Sequence, residues 1–251
     1  MSDKIRKSEW EGFERLDFRF GDRDAILILP RARACGKDCK GKLAIYTEYF
    51  AAFPNTAIEL INRGYHLAFL RNANRWGTDI DMNSRRDYID FIADEFDLTK
   101  RTVPIGMSCG GLQAVNFAYL YPEYVSVLYL DAPVLNLISC PMGYGLTHRN
   151  EDIVNECLRA MGMTESEMLS YRNHPMDKLD VLVKNEIPVV MVYGEDDTDV
   201  AYAENGKLLV DYYENAGKGG IVKVFGKKNC GHHPHGLPDP NPIVDFVEMC
   251  Q

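Results

Sequence analysis

A serine flanked by glycines is the feature of this sequence that most clearly suggests chemistry. The stretch Gly106-Met-Ser108-Cys-Gly110 has the form Gly-x-Ser-x-Gly, follows a β-branched run at 102–105 and precedes a helical pattern at 112–120. A serine in that setting lies on a tight turn from strand to helix, with its hydroxyl exposed. Glycines suit the turn because the strand and the helix approach each other closely there. The pattern therefore predicts that Ser108 is a nucleophile.

A candidate acid lies farther along the chain. A serine hydroxyl needs a base to become nucleophilic, and the base needs an acid that orients it. On a parallel sheet the three occur in the order Ser, Asp or Glu, His, each after a strand. The turn after the apolar run 187–193 offers four acidic residues: Glu195, Asp196, Asp197 and Asp199. We favour Asp197, three positions after the strand end, and keep Asp131, at the end of the preceding strand, as the alternative acid.

Three histidines follow the last predicted strand and supply candidates for the base. They lie within Gly231-His232-His233-Pro-His235, so that half of the six histidines of the chain fall within four positions. We favour His232, because a turn glycine directly before it lets the side chain lean back toward the serine. His233 and His235 are expected to be supporting or surface groups. The alternative interpretation is a polar loop without chemistry, which does not account for the clustering of the histidines.

Acyl transfer at a serine also needs hydrogen-bond donors for the oxyanion that develops on the substrate. One donor is expected to be the backbone N–H of Cys109, directly after the serine. The second normally comes from the loop after the third strand of such a sheet, which is here Thr47-Glu48-Tyr49. The His-Gly-Gly-Gly form of that loop is absent, and we assign the second N–H to Glu48.

With these residues, the sequence resembles the α/β-hydrolase superfamily and, within it, a branch of poorly characterised bacterial esterase-like hydrolases. The motifs that carry the resemblance are residues 106–111, Asp131-Ala-Pro-Val134, His174-Pro-Met-Asp177-Lys-Leu179, residues 194–200 with Glu204-Asn205, and residues 231–240. The resemblance implies the α/β-hydrolase fold. It also implies the roles of nucleophile, acid and base for Ser108, Asp197 and His232, in agreement with the assignment from the residues themselves.

The sequence departs from this branch at three positions. Cys109 stands where relatives often carry Arg, Cys140 where they carry Trp, and Ala201 where they tend to have Pro. The absence of an arginine beside the nucleophile bears on the substrate charge that the site prefers. The backbone N–H of residue 109 is unaffected.

No metal and no cofactor are expected. The spacing His-His-x-His at 232–235 differs from the familiar helical zinc motif, and no paired Cys-x-x-Cys accompanies it. Cys35 and Cys39 lie in a polar loop, residues 31–42, and are expected to be thiols near solvent. Seven scattered cysteines in total are typical of reduced thiols and, with no signal-peptide pattern at the start of the sequence, predict a cytoplasmic location.

A mostly parallel sheet with helices on both faces is the fold class that would position these residues. Strands are predicted at 43–47, 65–70, 102–105, 125–130, 187–193 and 221–225, with helices at 55–63, 84–96 and 112–120. A hairpin of strands 16–20 and 25–29, turning at Gly21-Asp22, predicts an antiparallel edge. Residues 133–186 contain helical patterns at 152–161, 165–171 and 178–184 and are expected to form a small lid on a single domain, 1–251.

Composition limits the classes of molecule that the protein is expected to bind. The net charge of −9 over 251 residues disfavours nucleic-acid binding, and no apolar run has the length of a membrane span. The expected partner is a small-molecule ester, and the leading hypothesis is a serine hydrolase that cleaves an ester of a small or medium acyl group. The alternatives are a non-catalytic ligand-binding protein with the same fold, and a peptidase or lactonase that uses the same three residues.

Overall fold

The computed structural model describes residues 5–33 and 40–251, and within these ranges nine strands form one sheet. The strands are β1 (Arg6–Trp10), β2 (Phe13–Phe20), β3 (Arg23–Leu29), β4 (Gly41–Tyr46), β5 (His66–Leu70), β6 (Leu98–Met107), β7 (Leu128–Asp131), β8 (Val189–Gly194) and β9 (Val222–Lys227). Their order across the sheet is β1-β2-β3-β5-β4-β6-β7-β8-β9. The pairs from β1 through β3 to β5 are antiparallel, and the pairs from β5 to β9 are parallel. The predicted mostly parallel sheet with an antiparallel edge is confirmed.

Helices cover both faces of this sheet. They are α1 (Asn55–Asn62), α2 (Asp79–Phe96), α3 (Cys109–Leu120), α4 (Glu151–Met161), α5 (Glu165–Ser170), α6 (Leu179–Lys184), α7 (Gly206–Asn215) and α8 (Asn241–Met249). In β4, Leu43 and Ile45 belong to the apolar core shared with α2 and α3, whereas Ala44 and Tyr46 belong to the core shared with α1 and α8. The sheet is therefore buried on both faces, as parallel strands require. Among the described residues, no helix has the length and apolar character needed to cross a lipid bilayer.

The antiparallel edge contains the predicted hairpin and one further strand. β2 and β3 pair through the turn at Gly21-Asp22, as expected. β1 has no counterpart among the predicted elements, because its sequence is charged and its residues are largely exposed. A second two-residue turn, Glu11-Gly12, joins it to β2, and both residues have positive φ, as type I′ hairpin turns require. Charged residues on such an edge strand oppose pairing with another molecule.

The structure differs from the predictions at α2 and α7. α2 begins at Asp79, earlier than the predicted start at 84, because the acidic residues of its first turn suit a helix N-terminus although they break the apolar pattern. α7 is not predicted, since it begins at a glycine and buries few apolar side chains, among them Leu209 and Tyr213. The predicted loop 31–42 extends outside the described residues, and Cys35 and Cys39 lie outside them as well.

The segment 133–186 contains the three predicted helices, α4, α5 and α6. α4 and α5 pack against the body of the protein in a third apolar cluster, where Val154, Cys157 and Met168 join Trp76 and Leu112. This burial anchors both helices beside the N-terminal end of α3. That the segment opens and closes as a lid stays a prediction.

Asn205 fastens the start of this segment to the loop before α7. Its side chain is fully buried, and its Oδ1 accepts hydrogen bonds from the backbone N–H groups of Leu135 (2.9 Å) and Asn136 (3.0 Å). Its Nδ2 donates to the carbonyl oxygen of Ala201 (3.0 Å). A single amide thus satisfies three backbone groups, which is how Asn205 of the Glu204-Asn205 motif contributes to the fold.

We expect Asn205→Ala to lower the free energy of unfolding by about 3 kcal/mol, because it leaves several buried backbone groups without partners. The control is Asn185→Ala, at an exposed amide that bonds one helix carbonyl, with an expected change within about 0.5 kcal/mol. Urea denaturation of both variants gives the comparison. Equal losses would contradict the anchoring role.

Candidate active site

Ser108 lies on a strained turn between the end of β6 and the start of α3. Its φ is 52° and its ψ is −121°, a conformation that residues other than glycine rarely adopt. Such a backbone costs about 1–3 kcal/mol and persists where its surroundings hold it. Here the Ser108 N–H donates to the carbonyl of Asp131 (2.9 Å), and the Ser108 carbonyl accepts from Val134 (3.0 Å). The loop after β7 therefore fixes the serine backbone.

Two glycines on either side of Ser108, Gly106 and Gly111, are required by close contacts with neighbouring residues. A Cβ on Gly106 would lie 2.7 Å from the carbonyl oxygen of Gly110, and a Cβ on Gly111 would lie 2.3 Å from the Cβ of Pro133. Both distances are shorter than any real contact. The strand, the helix and the loop after β7 can therefore meet at Ser108 because side chains are missing at these two positions.

Asp197 and His232 form a buried acid–base pair. The Nδ1 of His232 lies 2.8 Å from Oδ2 of Asp197, and the two side chains are 9% and 1% exposed. Oδ1 of Asp197 accepts hydrogen bonds from the N–H groups of Asp199 (2.9 Å) and Val200 (2.8 Å). A carboxylate at Nδ1 selects the tautomer that carries its proton there, which leaves Nε2 with a free lone pair. Of the acidic residues 195, 196, 197 and 199, Asp197 is the one that pairs with His232.

The pKa of Asp197 reflects opposing effects. Burial alone raises it, but the hydrogen bonds from His232 and from the backbone N–H groups of Val200 and Asp199 outweigh burial and hold the pKa below its ordinary value. The carboxyl group is therefore ionised at neutral pH. It can stabilise a positive charge on the His232 ring.

Asp131 and His235 form a second pair of the same kind. The Nδ1 of His235 lies 2.7 Å from Oδ1 of Asp131, and both side chains are nearly inaccessible to solvent. Oδ2 of Asp131 accepts from the N–H of Gly236 and from the hydroxyl of Tyr129 (3.2 Å). His235 is thus buried, which excludes a surface position and leaves the supporting role among the two that were expected. Asp131 pairs with His235 and not with His232, the partner that the alternative assignment requires. The signal for this pair is the occurrence of two carboxylates at the ends of neighbouring strands together with two histidines.

Ser108 and the histidines share one cavity of about 530 Å³. Ser108, His232, His233 and His235 all line it, together with apolar side chains that include Phe53, Ile153 and Val200. Among the described residues, no hydrogen bond joins the Ser108 hydroxyl to His232. Such contacts are often long in the absence of substrate and shorten when it binds.

Comparison with known proteins identifies the fold. No protein-family model and no curated protein matches the sequence. Among solved structures, a dipeptidyl aminopeptidase IV-like protein from Bacteroides ovatus gives a TM-score of 0.71 at 15% identity, over 98% of this chain and 36% of that one. An acylaminoacyl peptidase from Pyrococcus horikoshii gives 0.70 at 14% identity, over 95% and 42%. An acylaminoacyl peptidase in complex with Z-Gly-Gly-Phe-chloromethyl ketone gives 0.68 at 16% identity, over 94% and 41%.

The chain has the α/β-hydrolase fold. It spans 36–42% of the length of the three chains to which it is compared. Ser108 follows β6, Asp131 is the last residue of β7, Asp197 follows β8 and the histidines follow β9. All of them therefore lie at the carboxyl edge of the parallel strands, where ligands of α/β sheets bind.

The two predicted oxyanion donors both lie near the N-terminal end of α3. Cys109 is the first residue of α3, so its N–H has no acceptor within the helix. The nitrogen of Glu48 lies 3.5 Å from the position that a Cβ on Gly110 would take, next to the same helix end. The Cys109 thiol is buried, and burial raises its pKa. The side chain of residue 109 therefore remains a neutral thiol.

A buried cation holds the loop that carries Glu48. Nη2 of Arg85 donates to the carbonyl of Thr47 (2.9 Å), to Oδ1 of Asn72 (2.9 Å) and to Oε1 of Gln113 (2.6 Å). The amide groups of Gln113 and Asn72 in turn donate to Oε2 of Glu48, at 2.8 and 3.0 Å. Burial lowers the pKa of Arg85 to about 10, so the guanidinium stays charged at neutral pH. No sequence motif indicated this network, whose members come from four separate segments.

The depressed pKa of Asp197 predicts how stability depends on pH. The ionised carboxylate stabilises the folded state, so its contribution is complete above the unfolded-state pKa of about 3.9 and is lost as the pH falls through the lower folded-state pKa. Asp197→Asn should therefore be less stable than the parent at pH 5, and the difference should shrink toward pH 2. Thermal unfolding of both proteins between pH 2 and pH 6 measures it. A difference that is constant across this range would contradict the assignment.

Proposed function

We propose that the protein is a serine hydrolase that cleaves a carboxylic ester of a small or medium acyl group through an acyl-enzyme on Ser108. One observation carries the proposal. A serine on a strained strand-to-helix turn shares a cavity with His232, whose Nδ1 is held by the buried carboxylate of Asp197. These are the groups that acyl transfer by a serine requires.

The reaction follows from these groups. The Ser108 Oγ attacks the ester carbonyl carbon while Nε2 of His232 takes the hydroxyl proton, and the tetrahedral oxyanion accepts hydrogen bonds from the N–H groups of Cys109 and Glu48. Collapse of this intermediate expels the alcohol, which receives the proton from His232. A water molecule then attacks the acyl group with His232 again as base, and the acid is released. Asp197 orients the imidazole and stabilises its protonated form throughout.

The cavity supports a neutral acyl group of modest size. Two arginines line it, but Arg75 is held by Glu156 in a two-point ion pair, and Arg149 is held by Glu151 and Glu165. Neither guanidinium therefore offers an uncompensated charge to a substrate anion. Apolar side chains fill much of the remaining wall, and a volume of about 530 Å³ is in the range of small-molecule pockets. Cys109 adds no charge beside the nucleophile.

A peptidase is the second candidate, because the three solved structures compared above carry the names of peptidases. The same serine, histidine and aspartate would cleave an amide. A non-catalytic ligand-binding protein is the candidate from another class. Its serine would not be activated, so reactivity toward a fluorophosphonate separates it from both enzymes.

We expect the parent protein to release p-nitrophenol from p-nitrophenyl acetate or butyrate and to be labelled by a fluorophosphonate. Ser108→Ala should lose both properties, with kcat reduced by about 10⁴-fold or more, because the nucleophile is absent. Hydrolysis is followed by absorbance and labelling by mass spectrometry, with circular dichroism to verify the fold. Retention of most of the activity in the variant would refute the assignment of Ser108.

The same assay is used for the control variant and for the comparison of substrate classes. Ser170→Ala changes an exposed serine at the end of α5 and should leave both properties intact. Aminoacyl p-nitroanilides tested beside the esters distinguish the two enzyme candidates. A higher kcat/KM for anilides than for esters would favour the peptidase.

The two acid–histidine pairs should differ in their effect on rate. Asp197→Asn is expected to lower kcat by about 10⁴-fold. Without the carboxylate, the His232 ring is no longer held in the tautomer that has its proton on Nδ1 and a free lone pair on Nε2. Asp131→Asn should lower kcat far less, since its partner His235 is not the base. Steady-state kinetics of both variants, folded by circular dichroism, give the comparison. The reverse order of effects would assign the acid to Asp131 and the base to His235.

A further inference from the structure

The three histidines of the loop after β9 converge on one point. The ring centroids of His232, His233 and His235 are separated by 4.8, 4.9 and 4.9 Å, and the rings are steeply inclined to one another. One nitrogen from each ring lies within 4.8 Å of the other two. Proposed catalysis accounts for His232 alone, which leaves the convergence of the other two rings to be explained.

We propose that His232, His233 and His235 form a binding site for Zn²⁺ and that the bound ion inhibits hydrolysis. Three imidazoles with one open position form a well-known zinc ligand set. The ion is an inhibitor here and takes no part in the reaction. This proposal differs from the sequence-based expectation of no metal because that expectation rested on spacing along a helix. The loop brings the rings together without a helix.

The groups behind the rings suit metal binding. Histidine ligands of a metal usually donate their second N–H to a carboxylate, which fixes the ring and makes the ligating nitrogen more basic. Asp197 occupies Nδ1 of His232, and Asp131 occupies Nδ1 of His235. In both rings Nε2 is thus the atom left to bind a metal. The two buried carboxylates also supply the negative charge that compensates a divalent cation.

The spacing of the rings matches such a site. An imidazole bound at a Zn–N distance of about 2.1 Å has its ring centroid about 3.2 Å from the ion, so tetrahedral ligands have centroids about 5.2 Å apart. The observed separations of 4.8–4.9 Å are within a few tenths of an ångström of that value. The ligating nitrogens of a tetrahedral site are about 3.4 Å apart, so a separation of up to 4.8 Å has to shorten when the ion binds. His233 is exposed, and among the described residues no carboxylate holds its ring as Asp197 and Asp131 hold those of His232 and His235, so its ring is the least constrained of the three.

The inhibitory effect rests on the proposed function. A zinc ion on Nε2 of His232 occupies the lone pair that must accept the proton of Ser108. The base is then blocked while the Asp197 contact remains. Since the ion reaches its ligands from the substrate cavity, it also takes space beside the nucleophile.

Binding is tested without reference to activity on the Ser108→Ala variant. Isothermal titration with ZnCl₂, and titration with Co²⁺ followed by its visible absorption, should show one site per chain. Adding His233→Ala should weaken Zn²⁺ binding by at least about 10–100-fold. This is the loss of affinity seen when a carboxylate that supports a metal ligand is removed, and loss of a ligand itself should cost no less. The matched control is His148→Ala, an exposed histidine on the same cavity, which should leave the affinity unchanged.

Inhibition is tested on the parent protein with p-nitrophenyl butyrate. ZnCl₂ should abolish turnover, and EDTA should restore it. His233→Ala should need at least 10-fold more Zn²⁺ for half inhibition, with inhibition expressed relative to the zinc-free rate of the same variant. Absence of binding, or binding that His233→Ala leaves unchanged, would overturn the site. Specific binding in a protein that lacks esterase activity would retain the site and refute the proposed function instead.

Discussion

The contact between the end of β8 and the loop after β9 is the constraint on which the candidate site depends. A Cβ at Gly194 would lie 2.1 Å from the carbonyl oxygen of Gly231 and 2.3 Å from that of Cys230, so the two backbones touch directly. The N–H of Asp196 donates to the Cys230 carbonyl at 2.9 Å, which fixes their register. Asp197 and His232 leave this junction from adjacent points, and their side chains meet without adjustment. Preorganisation of this kind is what acid–base catalysis requires of its supporting backbone.

Two buried carboxylates lie at the same edge of the sheet. Asp131 ends β7 and Asp197 lies three residues after the end of the neighbouring β8, and each side chain is almost completely withdrawn from solvent. An unpaired carboxylate in that position costs several kcal/mol, on the order of 3–5 when a partner is removed. Each one has a histidine and at least one backbone N–H as partners. The histidine-rich motif therefore stabilises the fold, apart from the role of base proposed for His232.

The sequence allowed the parallel strands, most helices and the order of the candidate residues to be predicted, because buried runs and glycine turns leave local patterns. β1 has no such local pattern in its sequence, since a charged edge strand gains its stability from pairing and not from burial. The bond between Asp131 and His235 joins residues 104 positions apart, and no local spacing encodes it. The role of Arg85 could not be predicted for the same reason. Its partners are defined by the packing of α2 on the loops after β4 and β5.

The burial of the Cys109 thiol bears on which covalent reagents can modify this turn, since a serine and a cysteine lie at adjacent positions. Its pKa is raised, so little thiolate exists at neutral pH, and Cys140 in the same cavity is raised further still by burial. Thiolates are the forms that react with soft electrophiles such as maleimides and iodoacetamides. Under the proposed function, a serine-directed phosphonate therefore modifies Ser108, whereas a thiol-directed alkylator reacts poorly with the adjacent Cys109. Under the proposed function, the turn at Ser108 can carry a fluorescent tag on the serine while the sulfur of Cys109 stays unmodified.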